Sequence, residues 1–145
     1  MYFHTDNKKK IPTYLKQFGC RDSEVTDEDV FFVTQYVSKI DRFAIGGTLV
    51  SEEGLECLKK LSAVEYLDLR GVPLTDGNLD CILHLENLEY LDIISTGVSA
   101  DGISIILESF PKLDTLLARV GSQEFGLIEK WQAQYPSADL IIDIG

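Results

Sequence analysis

Apolar residues follow two rhythms along this chain, and the rhythms alternate. In VSEEGLECLKKLSAVEYLDLRGV, which begins at Val50, Leu55, Leu58 and Leu61 stand at helical spacing, and Val64, Leu67, Leu69 and Val72 then mark a stretch that moves toward a period of two. Helical spacing followed by alternation predicts a helix and then a short strand. The same order recurs in the segments that begin at Val25, Leu74 and Val98, so the starts lie 25, 24 and 24 residues apart. A weaker fifth copy, SQEFGLIEKWQAQYPSADLIIDIG, follows, and its Tyr135-Pro136 echoes Phe110-Pro111 one copy earlier. Thr26, Ser51, Thr75 and Ser99 sit one place into each full copy, just before the acids. That is the place of a helix N-cap, whose hydroxyl accepts an orphan backbone N–H, while the acids suit the positive end of the helix dipole.

A fixed period of this length marks a stacked array, because one unit cannot bury its own apolar face and its neighbours supply the core. The expected organisation is an N-terminal arm and cap over 1–24, four repeats over 25–121 and a capping repeat over 122–145. Within the ends, Ile11 to Phe18 is expected as a short amphipathic cap, and a helix near Phe125 to Gln134 with a strand from Leu140 to Ile144 as the other. Lys8, Lys9 and Lys10 are expected in a solvated tail or in a basic arm that engages a partner.

The units LxxLxLxxTxVSxEGLxxL and LxxLxLxxVxLTDGxLxxI resemble leucine-rich repeats. Leu61, Val64, Leu67, Leu69, Val72 and Leu74 fill the framework of one copy, and Leu85, Leu88, Leu91, Ile93, Thr96 and Val98 that of the next. The flavour is similar to the cysteine-containing type that accompanies F-boxes, although the N-terminal segment holds no F-box. The framework Asn or Cys of that family is replaced by Thr48, Val72, Thr96 and Gly121, so no asparagine ladder joins the turns. The resemblance covers roughly residues 25 to 145 and implies a right-handed α/β solenoid of about five units, with a concave parallel sheet and convex helices. It also implies a stand-alone, non-catalytic module that binds proteins.

In such an array equivalent residues stack about 4.7–4.9 Å apart across the sheet, and the spacing defines three outward columns. They are Arg42, Tyr66, Tyr90, Thr115; then Ala44, Asp68, Asp92, Leu117; then Gly46, Arg70, Ile94, Arg119. Tyr and Arg beside an exposed Ile and Leu form the kind of surface in which interface hot spots concentrate. The expected partner-binding set is Arg42, Tyr66, Asp68, Arg70, Tyr90, Asp92, Ile94, Leu117 and Arg119. Strand filling by tyrosine pairs accounts for part of the same pattern.

Charge adds a direction to this picture. The net charge is −11, and residues 1–21 hold five basic side chains against Asp6 alone, so the remainder is more acidic still. An acidic body disfavours nucleic acid and favours a basic protein partner. Asp27, Glu28, Asp29, Glu52, Glu53, Asp76 and Asp101 recur at helix starts and are expected to line one acidic edge, which either steers a basic partner or only satisfies each helix's own N-terminus. No apolar run reaches the ~18 residues of a membrane helix, and no signal peptide is apparent, so a cytoplasmic protein without membrane contact is expected.

Candidate chemistry changes little. Asp68 and Asp92 form a stacked carboxylate pair of the kind that does acid–base work, yet Arg70 and Arg119 flank it, no nucleophile with a base is recognisable, and His4 and His84 lie away from the columns. Cys20, Cys57 and Cys81 are an odd count without a close pair, which argues against disulfides and zinc. Cys57 and Cys81 share a column with Phe32 and Ile105 and are expected in the core as reduced thiols. No Gly-rich phosphate loop is present, so neither cofactor nor metal is expected. The function these features predict is protein binding, with a toxin-neutralising immunity role as one form. The alternative is an assembly factor in a permanent complex or a homodimer; an enzyme is the least favoured.

Overall fold

The computed structural model describes residues 12–145. Six strands, β1 (Tyr14–Phe18), β2 (Lys39–Ala44), β3 (Ala63–Asp68), β4 (Tyr90–Asp92), β5 (Thr115–Val120) and β6 (Asp139–Ile144), form one all-parallel sheet in chain order. The register joins equivalent residues of successive copies: Arg42 to Tyr66, Tyr66 to Tyr90 and Tyr90 to Thr115. Parallel neighbours need a crossover between them. Here the crossovers carry α1 (Asp27–Tyr36), α2 (Glu52–Glu56), α3 (Ala100–Ser109) and α4 (Phe125–Gln134), with 3-10 turns at Cys57–Lys60, Asp76–Cys81 and Ser122–Glu124.

One apolar cluster fills the space between sheet and crossovers. Phe18, Phe43, Leu67, Leu91, Leu116 and Leu140 follow one another across the six strands, and all are buried. Phe18 and Phe43 stack with ring centroids 5.2 Å apart. Each such side chain contributes roughly 1.5–3 kcal/mol by leaving water. All-parallel sheets usually bury both faces and then carry near-continuous apolar strands. In this one the alternate residues are Gln17, Arg42, Tyr66, Tyr90 and Thr115, which leaves one face polar and partly exposed.

The N-terminal cap expected over Ile11 to Phe18 takes the form of a strand within the described residues. Tyr14–Phe18 is a strand, paired with β2 through Leu15–Ile40 and Phe18–Phe43. Leu15 and Phe18 repeat the spacing of Ile40 and Phe43, so this segment completes the sheet by the same rule as the copies that follow. Lys8, Lys9, Lys10 and His4 lie outside the described residues.

The crossover from Leu74 also departs from the expected helix. Asn78 has φ −120° and ψ 16° inside the 3-10 segment. Its side-chain oxygen accepts from the Thr75 N–H at 2.7 Å, and its amide donates to the Pro73 carbonyl at 3.1 Å. An asparagine satisfied locally in this way competes with helix propagation, and Gly77 beside it adds no propensity to resist. The remaining caps match the pattern: Ser51 and Ser99 accept from the N–H groups of Glu53 and Gly102, and Thr26 with Asp29 closes a capping box. Where an asparagine ladder is missing, Thr48 and Thr96 donate to the Ile45 and Ile93 carbonyls at 2.6 Å, tightening each turn within its own copy.

The cysteine column is core only in part. Cys81 is fully buried, Cys57 is half-buried and Ile105 is 43% exposed. The 3-10 crossover follows a different path from its helical neighbours, so equivalent positions there do not share one depth. Burial pushes the Cys81 thiol up to about 12. Native protein is therefore expected to yield two thiols to a disulfide reagent at pH 8, Cys20 faster than Cys57, and a third only in denaturant. A native count of three would show that the Leu74 crossover opens.

Candidate functional site

The open face of the sheet divides into two parts. Toward the starts of the strands lies a ladder. Tyr66 and Tyr90 stack with centroids 4.0 Å apart and planes 5° from parallel, and the Arg42 guanidinium lies 4.1 Å over the Tyr66 ring. Strand register places these side chains at one level, and stacked rings in neighbouring strands gain about 0.5–1.5 kcal/mol beyond area burial. Desolvation, and then the adjacent Tyr66 hydroxyl, push the Tyr90 phenol up to about 12. Tyr90 is therefore an uncharged aromatic surface at any physiological pH. Lys16, Asp41, Glu65, Glu89 and Asp114 share the shallow groove with the ladder.

Toward the strand ends lies a closed charge cluster. Asp68 and Asp92 adjoin through their strands, as the column predicts, but they are 2% and 0% exposed rather than open to solvent. What covers them is Arg21. Its Nε donates to Asp68 Oδ2 at 2.9 Å and its Nη2 to Asp92 Oδ2 at 2.8 Å, which holds its own guanidinium protonated through the hydrogen bond to Asp68. Arg70 reaches the same Asp92 oxygen through Nε at 2.9 Å. The second oxygens accept from the Arg70 and Ile94 backbone N–H groups at 3.1 and 3.0 Å.

The segment that delivers Arg21 fits because the columns begin with small residues. Gly19 turns at φ +74° against the Ala44 carbonyl, and the Asp22 N–H donates to the Gly46 carbonyl at 2.8 Å. A Cβ on Gly46 would lie 2.5 Å from an Asp68 oxygen, so glycine there is what lets the carboxylate sit low.

Asp68, Asp92 and Ile94 therefore leave the expected contact surface. Both carboxylates are consumed internally, and Ile94 is 6% exposed. Arg119 does not reach the aspartate pair; it lies 3.7 Å from Asp143. Arg42, Tyr66, Tyr90, Leu117 and Arg119 remain at least partly exposed, as does Arg70, whose side chain is 34% exposed above Asp92. Beyond Leu117 the column continues to Ile141, 44% exposed on the edge strand.

Two of the acidic residues at helix starts do a different task from either expected one. Asp27 accepts from the Ser51 N–H at 2.7 Å and from the Ser51 hydroxyl, and Asp76 accepts from the Ser99 N–H at 2.9 Å and from the Ser99 hydroxyl. Each thus ties down the N-cap of the next copy, not its own helix. Gly54 and Gly102 make this possible, since a Cβ at either would press into the carboxylate of Asp27 or Asp76. Glu28, Glu52, Glu53 and Asp101 are at least partly exposed. Asp29 belongs to the Thr26 capping box.

His84 is exposed, with Nε2 2.8 Å from the Leu61 carbonyl, away from the sheet face. Among the described residues no three His, Cys, Asp or Glu side chains gather as a metal would need, and no helix is long and apolar enough to cross a membrane. No protein-family model and no curated protein matches the sequence.

Proposed function

We propose that this chain is a right-handed leucine-rich-repeat solenoid that acts as a non-catalytic binding module, holding a basic partner protein against its open sheet face. The observation that carries this reading is the Tyr66–Tyr90 stack, partly exposed and set among carboxylates. Aromatic anchors with charged surroundings suit a protein partner, and acid on the module suits base on the other side. An immunity-type inhibitor that occludes a basic toxin in the cytoplasm is one form of this function. The contact set is Arg42, Tyr66, Arg70, Tyr90, Leu117 and Arg119, with Asp68 and Asp92 as the brace beneath. Every carboxylate oxygen of that pair accepts a hydrogen bond from within the chain, an arrangement that favours a structural role over acid–base chemistry.

A second reading, an assembly factor in a permanent complex or homodimer, draws on the apolar run from Leu117 to Ile141 and on Ile144, 45% exposed at the sheet edge. Salt separates the two, since screening slows charge-steered association and barely touches an apolar interface. The test is capture from the source cell by wild-type protein and by a Tyr66→Ala/Tyr90→Ala variant whose fold is checked by circular dichroism. A single basic protein held by wild type, lost by at least tenfold in the variant and eluted by moderate salt is the expected result. Equal retention by the variant would remove the sheet face from consideration.

A further inference from the structure

The sheet face carries a row of like charges that form no ion pair among the described residues. Main-chain hydrogen bonds run from the Glu89 N–H to the Glu65 carbonyl at 2.8 Å, from the Asp114 N–H to the Glu89 carbonyl at 2.9 Å and from the Asp139 N–H to the Asp114 carbonyl at 2.7 Å. Glu65, Glu89 and Asp114 thereby stand one residue before Tyr66, Tyr90 and Thr115 on neighbouring strands, Asp139 pairs with Thr115 on the edge strand, and all four acids are exposed. Like charges on neighbouring strands repel. Among the described residues none of the four has an ion pair, whereas Asp68 and Asp92 on the same sheet have two guanidinium partners between them.

Beside this row the tyrosine ladder already shows what it accepts. Arg42 covers the outer face of Tyr66, Tyr66 covers one face of Tyr90, and the column then reaches Thr115. Thr115 is too short to cover the remaining face of Tyr90 as Arg42 covers Tyr66. A cation placed there would complete the stack, with Glu89 and Asp114 on either side of it in sequence and register.

Resting on the binding reading above, we infer that the partner presents an extended segment with basic side chains at alternate positions, laid across the sheet from β3 to β6. One cation stacks on the open face of Tyr90 and the next ones meet the carboxylates of the row. The dimensions agree. Strands lie about 4.7–4.9 Å apart, so four acidic residues span about 14–15 Å, and three like-facing side chains of an extended chain, about 6.6–6.8 Å apart, span about 13–14 Å. A block of adjacent lysines would turn half of its charges away from the row.

The test uses calorimetry and NMR on the full chain. An acetylated, amidated pentapeptide Arg-Ser-Lys-Ser-Lys is compared with the same composition as Arg-Lys-Lys-Ser-Ser, and with spermine. The alternating peptide is expected to bind at least threefold more tightly than the block peptide and to shift the Tyr90 ring resonances. Thr115→Arg, which sets a guanidinium on the open face from within, is expected to weaken it at least tenfold, and so is Glu65→Gln/Glu89→Gln. Equal binding of both peptides, spermine binding as tightly, indifference to Thr115→Arg, or shifts confined to the helix-start acids would overturn the inference. If the peptide fails while the tyrosine-dependent capture of a partner succeeds, only the basic strand is lost; if both fail, the sheet face itself is not the binding surface.

Discussion

Asp92→Ala is expected to lower unfolding stability by about 3 kcal/mol, read as a fall in the urea midpoint with little change in slope. The side chain is fully buried and accepts from Arg21, Arg70 and the Ile94 N–H. Alanine leaves the backbone donor without an acceptor and two guanidiniums around a vacant centre. Both arginines are more than a third exposed and regain some water, which holds the cost near the lower end of the roughly 3–5 kcal/mol typical of a broken buried pair. Asp92→Asn keeps the shape and one acceptor but not the charge, so its loss should lie between wild type and Asp92→Ala. Arg21→Ala should cost less than Asp92→Ala, because removing the cover lets water reach Asp68 while Arg70 still neutralises Asp92. If Asp92→Ala were nearly neutral, the cluster would be an exposed ion pair in effect and Arg21 would not brace the face.

Gly102→Ala is expected to cost about 2–3 kcal/mol, the scale of overpacking a site that cannot yield. Alanine is otherwise a better helix residue than glycine by about 1 kcal/mol, so intrinsic propensity predicts the opposite sign. A Cβ there would press on the Asp76 carboxylate and lie 2.6 Å from Val98 Cγ1. Relief requires Asp76 to leave Ser99, which loosens the cap of α3. The combination Asp76→Ala/Gly102→Ala should therefore be more stable than the sum of the two single losses predicts, as residues sharing one contact do. Additivity in that cycle would mean that the clash lies with Val98 alone.

Much of the sheet was legible because the period is fixed. Once Tyr66 and Tyr90 are recognised as equivalent, their register follows, and so do the columns and the last helix from Phe125 to Gln134. Depth was harder to see. A column shows which residues share a face and says nothing of what lies over it, and Arg21 comes from outside the repeated part. The signal was present in Ala44 and Gly46, two small residues at the head of two columns of larger ones, with Gly47 beside them. Space left on a surface invites a neighbour, and the nearest chain carries the arginine. The strand Tyr14–Phe18 was hidden because it stands outside the fixed period, with no helical half before it, although Leu15 and Phe18 keep the apolar spacing of the strands. The task of Asp27 and Asp76 was hidden by an assumption that a helix is capped by its own acids. Each belongs with a glycine one copy further on, Gly54 or Gly102, and that pairing is intelligible only when two copies are placed side by side.

Strands laid down in chain order touch only their neighbours, so each seam in such a stack is short-range and can open without consulting the rest. Arg21 is the exception. It joins residues 71 positions apart in the sequence, and in doing so ties the segment that follows the first strand to the fourth. The open end of the molecule is therefore the side of β5 and β6: there the chain can peel one layer at a time, while at the other end the first layer is buckled to the fourth.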